Sequence, residues 1–139
     1  MTWLRSPDLD DIRAALRRVA PPLADLHLAP RPHEKGGNPR YHSGATTLGE
    51  DYVAKYAWSE PAAARLWHEV QVLRLLNTTD PGLPVPRVVG WSSDPVLLVT
   101  VRVAGEWLVH PEASLLTGER LEQTAGDFAR FLARLHRPE

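Results

Sequence analysis

Two charged residues of this chain stand where apolar ones are expected. A predicted helix capped by Ser59 carries Ala62, Leu66, Leu73 and Leu76 on one face, and the position that should complete the stripe is Glu69. A carboxylate on a buried helix face is costly unless it is paired. The plain alternative is a helix whose edge meets solvent at that point. Lys55 offers a partner. Alternation along residues 51–58 places Val53, Lys55 and Ala57 on one face, and Tyr52, Ala54, Tyr56 and Trp58 on the other. Lys55 thus shares a face with small apolar residues just before the helix that carries Glu69, unless it is simply a lysine at a sheet edge. Only Lys35 and Lys55 among the 16 basic residues are lysines. A position that only wants positive charge carries Arg in this chain, so a mid-strand lysine needs a reason. The two charges explain each other: a carboxylate can hold an ammonium where it meets the oxygens of a phosphate chain.

Upstream lies Gly36-Gly37-Asn38-Pro39-Arg40-Tyr41-His42-Ser43-Gly44, nineteen residues from Gly36 to Lys55. Glycines let backbone N–H groups approach phosphate closely. The segment is neither GxGxxG nor GxxxxGK[ST], and by itself it reads as a surface turn. A strand lysine paired to a helix glutamate behind a glycine-bearing loop is, however, the phosphate-handling arrangement of kinases.

The elements that must position these residues read as follows. Ser6 to Ala20 form a helix with Leu9, Ile12, Leu16 and Val19 as its stripe, Ser6 or Asp8 as cap, and Pro21-Pro22 as stop. Residues 23–43 hold Pro30, Pro32, Pro39 and the glycine pair, so any strand there is short or at an edge. Runs 45–48 and 51–58 flank Gly49-Glu50 as a hairpin. Ser59 and Pro61 open the long helix, which runs to about Asn77 before Asp80-Pro81-Gly82. Residues 88–91 and 95–103 form a second hairpin about Ser92-Ser93-Asp94. Glu119 to His136 form a last amphipathic helix with Leu121, Ala125, Phe128, Leu132 and Leu135 as its stripe. The order gives an α+β fold, an antiparallel sheet interrupted by one long helix. Two hairpins exclude a doubly wound parallel sheet.

The succession Gly36-Gly37, Tyr52-Val53-Ala54-Lys55, Trp67-His68-Glu69-Val70-Gln71-Val72-Leu73, Leu83-Pro84-Val85-Pro86, Val96-Leu97-Leu98-Val99, Val103-Ala104-Gly105 and Phe131-Leu132-Ala133-Arg134-Leu135-His136 resembles the phosphotransferase family that includes the aminoglycoside kinases. The resemblance covers roughly residues 30 to 136. It implies a kinase-like N-terminal lobe over 1–100, a hinge over 101–106, and the beginning of a C-terminal lobe over 107–139. By position it also implies that Lys55 contacts the phosphates of ATP, that Glu69 anchors it, and that Gly36, Gly37 and Ser43 belong to the phosphate loop. Thr100 would lie at the back of the adenine pocket. The backbones of Val101 and Val103 would supply carbonyl and amide contacts to the base, with Arg102 pointing away. Pro39 and Arg40 interrupt the loop's commonest form.

The family's catalytic loop carries an aspartate and then an asparagine, and a later aspartate holds magnesium. Only Arg137, Pro138 and Glu139 follow His136, and no earlier segment substitutes. The expectation is therefore no catalytic and no metal-binding residue in this chain, which is either a piece of a longer kinase or a truncated protein. The reading is the ATP-binding lobe of a kinase acting on a hydroxyl of an aminoglycoside-like antibiotic or small metabolite, with ATP and magnesium as cofactors. A non-catalytic interaction or regulatory module reusing the fold is the alternative.

Composition bounds the rest. A net charge of −1 draws the chain neither to nucleic acid nor to an anionic membrane. The absence of cysteine removes disulfides, thiolate metal sites and a cysteine nucleophile, and suits a reducing cytoplasm. The start lacks the basic and apolar regions of a signal peptide, so a cytoplasmic location is expected. Usage rich in Arg, Ala, Leu and Pro suggests a GC-rich bacterial genome. The six histidines show no HxxxH or HExxH spacing. The five tryptophans read as packing residues, and Arg13, Arg17 and Arg18 as a solvated helix face. An exposed stripe on the last helix, at Phe128, Phe131 and Leu132, would favour self-association.

Overall fold

The structure, a computed structural model, describes residues 1–4, 8–30, 43–104 and 116–136. Asp8 caps α1 (Leu9–Val19), its side chain accepting from the Asp10 N–H, with acidic residues in the first turn and arginines in the last. A single 3₁₀ turn, Pro21–Leu23, leads to β1 (Leu28–Pro30). The hairpin of β2 (Gly44–Leu48) and β3 (Tyr52–Tyr56) follows. Then come α2 (Glu60–Thr79), β4 (Val88–Ser93), β5 (Val96–Val101) and α3 (Gly118–Leu135). Among the described residues the strands form one antiparallel sheet in the order β1-β2-β3-β5-β4. The expected α+β arrangement, one antiparallel sheet interrupted by a long helix, is the one found.

The short strand in the proline-rich stretch is β1, at the sheet edge, where a proline leaves no central ladder bond unmade. Gly49 makes the β2–β3 turn with φ +57°, and its N–H donates to the His27 carbonyl. The second hairpin differs from expectation. β4 runs on to Ser93, and β5 ends at Val101 rather than at Val103.

Each face of the sheet carries its own core. On one side α1 packs Ile12, Ala15 and Leu16 against Leu48, Ala54, Tyr56, Leu97 and Val99. On the other, α2 packs Ala63, Leu66, Val70 and Leu73 against Ala57, Val96 and Leu98. Burial raises the Tyr56 hydroxyl pKa above its ordinary 10.0. Gly90 lets α1 end close on β4: a Cβ there would meet the Val19 carbonyl oxygen at 3.1 Å. Arg13 departs from the solvated face assigned to it. Its guanidinium donates to the carbonyls of Ala24 and Leu26, tying α1 to the chain that leaves it. Three of the described tryptophans make ring contacts, whereas Trp3 is exposed and Trp107 lies outside the described residues. Trp58 lies against Tyr56, and Trp67 against Trp91, over which the Arg74 guanidinium sits 4.2 Å from the ring centre.

α3 forms as the pattern predicts, yet none of its residues is fully buried. Phe128 stacks on Phe131 and remains 60% exposed.

Candidate functional site

Lys55 lies in β3 between Ala45 of β2 and Leu98 of β5. Cross-strand partners share a face, and Leu98 belongs to the α2-side core, so Lys55 points toward α2. The Ser59 hydroxyl caps that helix by accepting from the Ala62 N–H, and proline sits in its first turn. The helix therefore starts where a side chain nearly three turns on can reach β3. The Lys55 ammonium donates to Oε1 of Glu69 at 2.5 Å. The side chains keep 36% and 35% of their exposure.

That exposure corrects one expectation. The buried line of α2 is Ala62, Ala63, Leu66, Val70 and Leu73: Ala62, Leu66 and Leu73 fall on it as expected, Ala63 and Val70 join them, and Leu76 is only half-buried. Glu69 lies beside this line, on its solvent margin. Among the described residues Glu69 is the ammonium's partner, and a lysine so held gives the carboxylate one of its three donors.

Beside Glu69 opens a cleft of about 720 Å³ lined by Ser43, Ala62, Arg65, Leu66, His68 and Leu73, among others. Ser43 precedes β2, so the cleft runs from the end of the glycine-bearing segment along α2. Thr100 is buried in β5, opposite Val53 and Val88, on the same face as Lys55. The Val101 N–H donates to the Arg87 carbonyl at 2.8 Å. Val103, past the strand end, is exposed. Arg102 turns toward the β2–β3 turn: its amide donates to Asp51 O at 2.6 Å and its guanidinium to Glu50 O at 3.3 Å. Gly36 and Gly37 lie outside the described residues.

The model of the phosphotransferase enzyme family matches residues 30–138. The chain belongs to this family. Two solved structures share its fold. Against the aminoglycoside phosphotransferase APH(2'')-Ib with ADP bound, the TM-score is 0.69 at 20% identity, covering 93% of this chain and 40% of that one. Against APH(2'')-IIa in a ternary complex with streptomycin and ATP, it is 0.71 at 20% identity, covering 100% and 42%. The chain thus spans about two fifths of the length of the structures it matches. No curated protein sequence matches it.

Among the described residues, no group of three or more His, Cys, Asp or Glu could hold a metal ion. None of its described helices is long and apolar enough to cross a membrane. Two fixings of the Glu69 helix went unremarked in the sequence. Asn77 uses both amide atoms on the next segment, accepting from the Val88 N–H at 2.7 Å and donating to Pro86 O at 3.2 Å. The other is an ion pair at the helix C-cap, between Asp80 and Arg134. An asparagine late in a helix signals only fraying or a cap, and ion-pair partners 54 residues apart have no local pattern.

Proposed function

We propose that the chain is the ATP-binding lobe of a small-molecule kinase. That kinase passes the γ-phosphate of ATP to a hydroxyl of an aminoglycoside-like antibiotic or small metabolite. The observation that carries this reading is the 2.5 Å Lys55–Glu69 pair at the margin of a cleft leading from Ser43. In this reading Lys55 meets the α- and β-phosphates and Glu69 fixes its position. Ser43, with Gly36 and Gly37, belongs to the loop over the phosphates. Thr100 closes the back of the adenine pocket, while the Val101 carbonyl and the Val103 amide meet the base edge. ATP, when bound, supplies the phosphoryl group.

The solved structures with ADP, or with ATP and streptomycin, support nucleotide as the ligand class and an aminoglycoside as a candidate acceptor. Residues 1–100 form the lobe in this reading, 101–106 the hinge and 107–139 the start of a second lobe. The general base and the magnesium ligands would come from a longer protein, as the coverage of those structures suggests, and that protein would act in the cytoplasm.

Titration of the 139-residue chain with ATP, with and without Mg²⁺, beside a phosphotransfer assay tests this. Weak binding without transfer is the expected result, with transfer appearing in a longer version that continues into a catalytic loop. Turnover by the short chain, or no nucleotide binding at all, would overturn the assignment.

The exposed stripe of α3 has its own test. Phe128 and Leu121 are expected to drive self-association of the isolated chain. Sedimentation velocity should show a mass that rises with concentration and falls back in Phe128→Ser.

A further inference from the structure

We propose that Arg134 is a positioning residue that clasps α3 to the end of the helix carrying Glu69, so that the two helices move as one body. The clasp is built at three points. Arg134 Nε donates to Asp80 Oδ2 at 2.5 Å, Nη2 donates to Asp80 Oδ1, and Nη1 donates to the Gly82 carbonyl at 3.0 Å. A guanidinium fork on a carboxylate is the directional form of ion pair. Asp80 is the C-cap of α2, its N–H donating to Leu76 O. Its Oδ1 also accepts from the Gly82 N–H at 3.2 Å, so the carboxylate is pinned before Arg134 arrives. Gly82 leaves the space: a Cβ there would stand 2.9 Å from Arg134 Nη2.

The rest of α3 offers little competing hold. No residue of the helix is fully buried. Its other described ion pair, between Arg130 and Asp127, stays within the helix. Among the described residues, Arg134 makes the polar contacts that reach from α3 to another element. Those contacts end on Asp80, the C-cap of the 20-residue helix that holds Lys55 through Glu69, and on Gly82 two residues past it. A displacement of α3 is therefore passed along α2 to the ammonium. The inference deepens the nucleotide-site reading, and only its functional meaning rests on that reading.

The test uses the 139-residue chain without nucleotide, so a failure of ATP to bind and a failure of the clasp are told apart. Amide hydrogen exchange and the rate of Lys55 labelling by an amine-reactive reagent are measured on Arg134→Ala, Arg134→Lys, Asp80→Asn and the double variant Arg134→Ala/Asp80→Asn. Asp80→Asn keeps an oxygen for the Gly82 N–H while removing the charge. Arg134→Ala should speed exchange over 118–135 by about fivefold, leaving β3 and β5 unchanged. It should raise Lys55 labelling about threefold, the size expected of a surface ion pair. Arg134→Lys should restore part of both, and the double variant should loosen no more than Arg134→Ala alone. Unchanged α3 exchange, unchanged Lys55 labelling, or additive effects in the double variant would each overturn the proposal.

Discussion

Lys55→Met is expected to lower the affinity of the chain for ATP by at least about tenfold, or about 1.4 kcal/mol, with little loss of fold stability. Methionine keeps the length and packing of the side chain and removes the ammonium that pairs with Glu69, a lining residue of the cleft. Burial of the pair at the helix stripe would have made its loss costly, by leaving a lone carboxylate in the core. The structure instead leaves both side chains about one third exposed. Water then solvates the abandoned Glu69, and the stability cost falls to about 1 kcal/mol or less. Calorimetric titration and urea unfolding of the same variant separate the two effects. Unchanged ATP affinity in Lys55→Met would remove this residue from the site. Unfolding instead of weakened binding would mean that the pair holds the lobe together rather than serving a ligand.

Leu98→Ala should have the largest effect on stability, about 2–5 kcal/mol. Leu98 is fully buried, lies opposite Lys55 on β5, and contributes to the core beneath α2. Its neighbours belong to a strand bonded on both edges and a 20-residue helix, so the space left by truncation cannot close cheaply. Val89→Ala, at an exposed position of β4, serves as the control and should cost about 0.5 kcal/mol or less. Urea unfolding followed by tryptophan fluorescence measures both. Similar losses in the two variants would mean that the α2-side core is not tightly packed.

Much of this arrangement was legible because it rests on local chemistry. Ser59 and Asp8 declare helix starts through capping oxygens, Gly49 declares a turn, and alternation along β3 placed Lys55 on the face that α2 covers. The charge pair was legible because each member broke a pattern. Other features depend on facts no local pattern holds. Which line of α2 meets the sheet is decided by packing, and the choice of Ala63 and Val70 moved Glu69 from the core to its margin. Arg13 looked solvated because the carbonyls it reaches, Ala24 and Leu26, are brought within range by a chain reversal that helix periodicity does not encode. Arg134 and Asp80 are separated in the chain by β4 and β5, so no local pattern pairs them.

The alternation of β5 bears on where the lobe begins. Val96 and Leu98 enter one core while Leu97 and Val99 enter the other, so a single four-residue run is the shared wall of both. The family match starts at residue 30, yet α1, which supplies the far side of that wall, lies wholly before it. Evolutionary boundary and folding boundary therefore do not coincide in this chain. A version trimmed to the family match would keep Lys55 and Glu69 but strip the cover from Leu48, Tyr56, Leu97 and Val99, leaving one face of the sheet apolar and adhesive. On this face of the sheet, the first helix is the cover that keeps the apolar residues from water.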